Sequence, residues 1–591
     1  MSSTDAVLRA GRVATAWSGY RSAARRIEAK HVLLALVTAF LVYQVIVPLF
    51  FLIWGSLKTV GPTDAAYFSL QLSLENYARA VQGDEFWGAL GNTLVFALAS
   101  TLLATVIGVA LALIVARTDA PLKGLMNSLA YARIIMPGLL TAIAWVFLAS
   151  PEIGLLNRVY RDATGSGQPI FDIYSLAGMA WVMGLDTFPL VYLTMVGTLR
   201  SMDPALEEAA FMAGRSVWQT LLKVTFPLMR PALLASLILV LIFSVESFEV
   251  PLIIGLPRRL YVLSTEIYFK SSRTPVDFGL AAAFGVLLLV LALGLLLAYQ
   301  RLVRNVSAYM TVSGKAFRPR VIRLGPWRWV ASALGLLTLL LAVVLPGLVL
   351  LWASFLRFFQ PPSPAAFRAL GTANYERVLT NPTVQEGLRN SLLLGIGSAT
   401  IVALMAALIA WIVYRTHVPG REVLDWLAFA PRAVPAVLFA VSMLWLYLTL
   451  PLPIYGTLLI ILLAYITRYL PIAMRIVAAG VVQIHSELEE AAYAAGAPWT
   501  SMFRRVLLPL LRPVLLTTWI WVAVHSFREL SISAILAAPG SRTVAVAIYE
   551  LWSEGSLGLI AAFSILVLLL LLAVAWAAEV LGRRFGVSGL G

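Results

Sequence analysis

Seven ionisable residues stand in stretches too apolar to lead one to expect them: Asp186, Glu246, Glu249, Arg468, His525, Arg528 and Glu529. A charge in hydrocarbon costs about 3 kcal/mol or more, so such groups face a bundle interior or a wet path and pair with one another. That chemistry suits guiding or gating a solute. Carboxylates such as Glu246 and Glu249 beside His525 match a hard cation in ligand type. Four histidines scattered over 591 residues, with bulky Phe248 between the acids, form no ligand cluster, and no metal site is assigned. The absence of cysteine excludes disulfides, thiolate metal sites and cysteine nucleophiles. There is no His-Glu-x-x-His and no serine in a nucleophile elbow, which leaves a membrane enzyme without a centre. The Gly314-Lys315 pair is followed by Ala316 and has Tyr309 where a phosphate loop needs its first glycine. Gly395-Ile396-Gly397 lies inside an apolar span and reads as helix packing. The chain carries no ATPase site, and no catalytic residue is assigned.

A second pattern is chemical in a different sense. EEAAFMAG at 207–214 returns as EEAAYAAG at 489–496, each opening a block of 25 residues (207–231 and 489–513) with eleven identities. Glu207 and Glu208, like Glu489 and Glu490, sit early in a short helix, where negative charge suits the helix dipole. Ala209, Ala210 and Ala213, with Ala491 and Ala492 in the second copy, leave a face that another surface can approach closely. Gly214 and Gly496 can end the helix in a left-handed turn. A second amphipathic stretch then runs to Pro227 and Pro509, and Pro231 stands at the entrance of the next span. The result is a knob for a partner's groove, a docking element without catalytic groups.

The elements that position these residues follow from composition. The chain is 60% hydrophobic and 12% charged, against about 25% charged for soluble domains. A helical span needs about 20 apolar residues, and helix is the open-chain solution that satisfies every backbone N–H without water. Twelve spans are expected near 31–57, 90–116, 125–149, 174–199, 232–256, 277–300, 329–356, 388–414, 424–450, 455–482, 514–538 and 558–582. The segment 301–328 has seven Lys/Arg and no acid, which places it and both termini in the cytoplasm; the basic residues near 257–276 run against that topology. The net charge of +15 is read as membrane-flanking cations, with no nucleic-acid partner.

The chain is also duplicated. IWGS (53–56) aligns with LWAS (351–354), ENYARAV (75–81) with ANYERVL (373–379), ARTDAP (116–121) with YRTHVP (414–419), and Pro137 with Pro435, all at an offset of 298. From Pro189/Pro471 onward the offset is 282, so the first half holds 16 extra residues, placed at 150–174. Six spans per half give parallel repeats, a transporter arrangement. The expected organisation is a basic arm (1–30), a first six-helix unit (31–300), a basic linker (301–328), a second six-helix unit (329–585) and a short tail (586–591).

Glu208-Ala209-Ala210, Gly214, Val224, Phe226, Pro227 and Glu490-Ala491-Ala492, Gly496, Val506, Leu508, Pro509 resemble the cytoplasmic signature of permease subunits of binding-protein-dependent ABC importers, with Phe226 where that family prefers leucine. The fused halves, the NY before each second span and the tail 527–558 are similar to iron(III) and thiamine permeases. The resemblance implies an all-α membrane protein with twelve transmembrane helices in two tandem, pseudo-symmetric type I importer domains. It implies a bacterial inner-membrane location, two cytosolic ATPase subunits that bind ATP and magnesium, and a periplasmic substrate-binding protein. The signature residues would couple the ATPases to the membrane helices. The cargo it favours is iron(III), with thiamine, a polyamine, a phosphonate or another small solute as alternatives. An ion-coupled secondary transporter is the rival class, one that would not need paired coupling helices.

At the offset of 282, Asp186 corresponds to Arg468 and Glu246 to Arg528, so equivalent positions carry opposite charge. Two readings stay open: pathway or gate residues paired across the pseudo-twofold axis, or ion pairs and snorkelling charges that serve structure alone.

Overall fold

The computed structural model describes residues 29–62, 64–306 and 321–584. Nearly all of the basic arm, the middle of the linker and the tail lie outside the described residues. Those described are helical, apart from turns and one isolated bridge between Thr118 and Ile322.

Among the described residues, ten helices are long and apolar enough to cross a bilayer. The two remaining expected spans are broken instead of straight. Lys123–Ile135 meets Gly138–Ala149 at 106°, and Arg421–Ala433 meets Ala436–Thr449 at 107°. The cause lies in Pro137 and Pro435, whose rings push the preceding residue out of the helical region. Met136 and Val434 accordingly have ψ of 123°, and the prolines themselves are extended at 138° and 140°. Gly138–Ala149 has 12 residues, roughly 18 Å of helix, well short of the ~30 Å hydrocarbon layer. Both short helices are buried along almost their whole length.

These short helices lock the halves together. Val47–Ser56 of the first half packs on Ala436–Thr449 of the second, and Leu345–Ser354 of the second packs on Gly138–Ala149 of the first. Phe147 stacks on Phe359 with centroids 4.8 Å apart, and Tyr43 meets Tyr447 edge-on at 6.5 Å. Within each half, the 34-residue helix (Asp84–Arg117 or Pro382–Arg415) lies along the fourth span, Leu176–Ser201 or Leu458–Gln483. Gly108 permits the first of these crossings, because a Cβ there would stand 2.6 Å from Val191.

The repeated NY dipeptides clamp the C-terminal end of each half's first span. Asn76 donates to the carbonyls of Ser56 (3.1 Å) and Lys58 (2.7 Å), and Asn374 donates to Ser354 (3.0 Å) and Leu356 (2.7 Å). The adjoining Tyr77 and Tyr375 hydroxyls meet Ser56 and Ser354 at 2.7 and 2.8 Å. Two of the four basic residues near 257–276 have acidic partners: Arg258 pairs with Asp172 of the inserted segment at 2.8 Å, and Lys270 with Glu85 at 2.7 Å.

Candidate functional site

The two octets fold alike. Pro204–Met212 and Glu487–Ala494 are short helices. In the first, Gly214 N–H donates to Phe211 (2.9 Å) and Arg215 N–H to Ala210 (3.1 Å); in the second, Gly496 donates to Tyr493 (2.9 Å) and Ala497 to Ala492 (3.0 Å). This paired-bond turn needs a left-handed residue, and the glycines have φ of 77° and 76°. A Cβ at either would meet no neighbour, so it is the backbone, not space, that asks for glycine.

Past the turn the structure corrects the expected boundary. Val217–Glu246 and Trp499–Arg528 each run as one 30-residue helix into the membrane region. Pro227, Pro231, Pro509 and Pro513 therefore lie within a helix. A π-helical turn, Leu221–Thr225 or Phe503–Leu507, opens just ahead of Pro227 and Pro509 and widens the ladder where the ring would otherwise clash with the preceding turn. Each block is continuous with its fifth span.

The glutamates divide. Glu208 and Glu490 are exposed, as are Ala209, Ala491, Gly214 and Gly496, while Ala210 is buried and Ala492 half-buried. Glu207 and Glu489 are each only 7% exposed. Glu207 pairs with Arg117 at 3.3 Å and accepts the Thr225 hydroxyl at 2.8 Å. Glu489 lies 3.6 Å from Arg415 and accepts Trp411 Nε1–H at 3.0 Å. The arginines end the 34-residue helices, so each short helix is tied to the second span of its own half. Arg117 and Arg415 stand in the repeated ARTDAP and YRTHVP, visible in the sequence as alignment marks but not as partners.

The charges of the spans gather at the helix breaks. Glu246 ends one fifth span, and its carboxylate lies 3.3 Å from Arg432 and 3.1 Å from Arg468, both in the other half. Arg468 also donates to the carbonyl of Val434, just before the break, at 2.7 Å. Arg528, at the equivalent end of the other fifth span, donates to the Ile134 carbonyl beside the first half's break. The two fifth spans thus reach across to each other's partner reciprocally. Broken helix leaves carbonyls without helical donors, and arginine supplies the donors.

The expected pairs are corrected by this arrangement. Asp186 does not meet Arg468; its partner is Arg133, which also donates to the carbonyls of Leu185 (3.1 Å) and Met136 (2.9 Å). Glu246 does not meet Arg528. Glu249 accepts Leu139 N–H at 2.9 Å at the start of the short helix, and a Cβ on Gly138 would stand 3.1 Å from its carboxylate and 3.4 Å from that of Asp186. Glu529 accepts the Tyr469 hydroxyl at 3.2 Å and Ile532 N–H at 3.0 Å. His525 bonds the Trp521 carbonyl through Nδ1 at 2.8 Å and lies over that indole, 4.1 Å between centroids. Arg133 and Arg432 were missed in the sequence; each stands three or four residues before the repeated proline, the one signal that marked them. Among the described residues no three His, Asp or Glu side chains come together in a way that could hold a metal ion.

The sequence profile of a family described as the binding-protein-dependent transport system inner membrane component matches residues 104–308 and again 399–587, more than half of the chain. The chain is 29% identical over 382 residues, 63% of its length, to a putative ferric transport system permease protein of Haemophilus influenzae. It is 27% identical over 412 residues, 68% of its length, to a ferric transport system permease protein of Actinobacillus pleuropneumoniae. In both cases the match spans 58% of the relative's own length. A probable ABC transporter permease protein of Sinorhizobium fredii is 27% identical over 78% of this chain and 81% of its own.

Proposed function

The chain belongs to the family of inner-membrane components of binding-protein-dependent transport systems, with the family domain present twice, and from that premise we propose that it is the transmembrane permease component of an ATP-driven importer. The observation that carries this reading is the duplicated block: a short helix, a left-handed glycine turn and a helix that continues unbroken into the fifth span, twice, tied by Glu207–Arg117 and Glu489–Arg415. Two similarly folded blocks on one chain suit two cytosolic ATPase subunits, which would hold the ATP and magnesium. The exposed faces Glu208-Ala209 and Glu490-Ala491 are the surfaces such subunits would grip.

In this mechanism, closure of the ATPases moves both short helices, and each drags a fifth span and a second span as one lever. The far ends of those levers are Glu246 and Arg528, which hold the opposite half at its break. Moving them apart opens a path between the halves for a solute that a binding protein delivers on the far side. A bound solute shifts the balance between the two states only through its differential binding to them. The reading places the chain in a bacterial inner membrane with both termini and the linker in the cytoplasm.

Iron(III) is the cargo best supported, through the names of the two ferric relatives. The test is ATP hydrolysis by the reconstituted complex, with candidate binding proteins loaded with ferric ion, thiamine, a polyamine or a phosphonate. The ferric protein should stimulate hydrolysis, and Gly214→Asp with Gly496→Asp should abolish the stimulation. Transport by the purified chain alone, driven by an ion gradient, would overturn the importer reading; stimulation by another loaded protein would replace the cargo.

A further inference from the structure

Where the second span of the first half ends, its backbone bonds to a segment far away in the sequence. Ile322 N–H donates to the Arg117 carbonyl at 2.7 Å, Asp119 N–H to the Ile322 carbonyl at 3.1 Å, and Leu324 N–H to the Asp119 carboxylate at 2.9 Å. Thr118 and Ile322 stand opposite each other as a parallel bridge. The Arg117 carbonyl is open to such a donor because Pro121, four residues on, has no N–H to continue the helix. The end of the basic linker, which leads into the second half, thus lies as a short strand along the Glu207–Arg117 joint of the first.

The crossing is mutual. Trp327–Leu339 of the second half packs on Asp84–Arg117 and Lys123–Ile135 of the first, and Ala29–Leu41 of the first packs on Pro382–Arg415 and Arg421–Phe429 of the second. The offset of 298 holds through both first spans, whose π-helical turns Val42–Ile46 and Leu340–Val344 coincide at it. It carries Arg117, Thr118 and Pro121 onto Arg415, Thr416 and Pro419, and Ile322 onto Ala24. At this second joint residues 415–419, together with 497–500 and His31, wall a cleft of about 860 Å³. Among the described residues nothing donates to the Arg415 carbonyl or accepts from the His417 N–H. The Arg415 side chain is 15% exposed against 2% for Arg117, and His417 is exposed where Asp119 is half-buried.

We propose that the occupant of this cleft is the chain's own basic arm, with residues 22–26 adding to the backbone of 415–417 as 321–324 add to 117–119, Ala24 opposite Thr416. Main-chain bonds supply the attachment: Ala24 N–H donates to the Arg415 carbonyl and His417 N–H to the Ala24 carbonyl. The reach is sufficient, since His31 already lies in the cleft wall and the five residues from Ala24 to Ala29 extend roughly 17 Å. Charge agrees, because Arg25 and Arg26 arrive beside a short helix that carries Glu487, Glu489 and Glu490 where the first copy has two acids. The linker turns at Gly325 with φ of 58°; Ile27 stands there in the arm, so the arm's turn falls elsewhere between Ala24 and His31. Each coupling block is then braced by the segment that leads into the opposite half; that consequence rests on the transport reading, whereas the pairing does not.

The test is disulfide cross-linking in the purified full-length chain in lipid nanodiscs, which has no cysteine of its own to interfere. Thr118→Cys with Ile322→Cys is the reference, since residues opposite each other in a bridge are close enough for a disulfide. Under mild oxidation Thr416→Cys should join Ala24→Cys about tenfold faster than it joins Ala23→Cys or Arg25→Cys, because neighbours in a strand point to opposite sides. Arg26→Cys with His417→Cys, equivalent to Leu324 and Asp119, should also close and keeps the test valid if Thr416→Cys fails to fold. Equal rates at 23, 24 and 25, as a loose arm gives, would overturn the proposal. So would the absence of a cross-link from both pairs in folded chains, or a disulfide between two chains in place of one within the chain. None of these outcomes depends on an ATPase or on transport.

Discussion

Glu207 and Arg117 form an ion pair whose side chains are 10% and 2% exposed. Burying such a pair adds little net stability, yet removing one partner leaves a buried charge unmatched, a loss of about 3–5 kcal/mol. Glu207→Ala should therefore lower the unfolding temperature of the purified chain markedly, while Glu208→Ala, on the exposed face, should change stability by less than about 0.5 kcal/mol and instead weaken ATPase capture in a pull-down. Equal thermal effects would contradict the division of the two glutamates. The same logic applies to Asp186. Its partner is Arg133, fully buried and holding two carbonyls besides. Exchanging Asp186 and Arg468 should destabilise the chain, since the two do not meet, and Asp186→Asn, which leaves the buried Arg133 charge unmatched, should also lower the unfolding temperature markedly; thermal unfolding of both variants decides it.

At the scale of elements, the glycine turns and the helix breaks carry the argument. A β-carbon at Gly496 meets no atom but forces a left-handed backbone, at about 1–2 kcal/mol. Gly496→Asn, which tolerates that region, should retain coupled hydrolysis better than Gly496→Val; the reverse order would show that the turn is not what matters. Gly138 is a different case, because a methyl there presses on the Glu249 and Asp186 carboxylates. The equivalent position in the second half is Ala436, so Gly138→Ala should impair transport while Ala436→Gly should not, as read by uptake into proteoliposomes. Much of this layer was legible in the sequence: the ten straight spans, the duplication and the glycines at fixed spacing. The two breaks were not, because a hydropathy window sums apolarity and is blind to direction; only the repeated Pro137 and Pro435 hinted at them. Partners of the charged residues were less legible still. They depend on which short helix enters which half, and the opposite charges at 246 and 528 show only that the halves differ there.

At the scale of the whole molecule, the halves are interlocked through short buried helices and held by reciprocal contacts at the breaks. Glu246 joins Arg432 and Arg468, and Arg528 joins the Ile134 carbonyl. These contacts lie at the ends of the same helices that begin just after the repeated short helices, so one continuous helix in each half links the face proposed for an ATPase to the seam between halves. The central claim is that this seam keeps the path shut until the levers move. The most direct test is the ATPase rate of the reconstituted complex carrying Glu246→Gln, measured with and without its loaded binding protein. The account predicts raised hydrolysis without the binding protein and little further stimulation on adding it, because a seam that no longer holds needs no signal to open. An unchanged basal rate with full stimulation, in a variant that assembles normally, would contradict it.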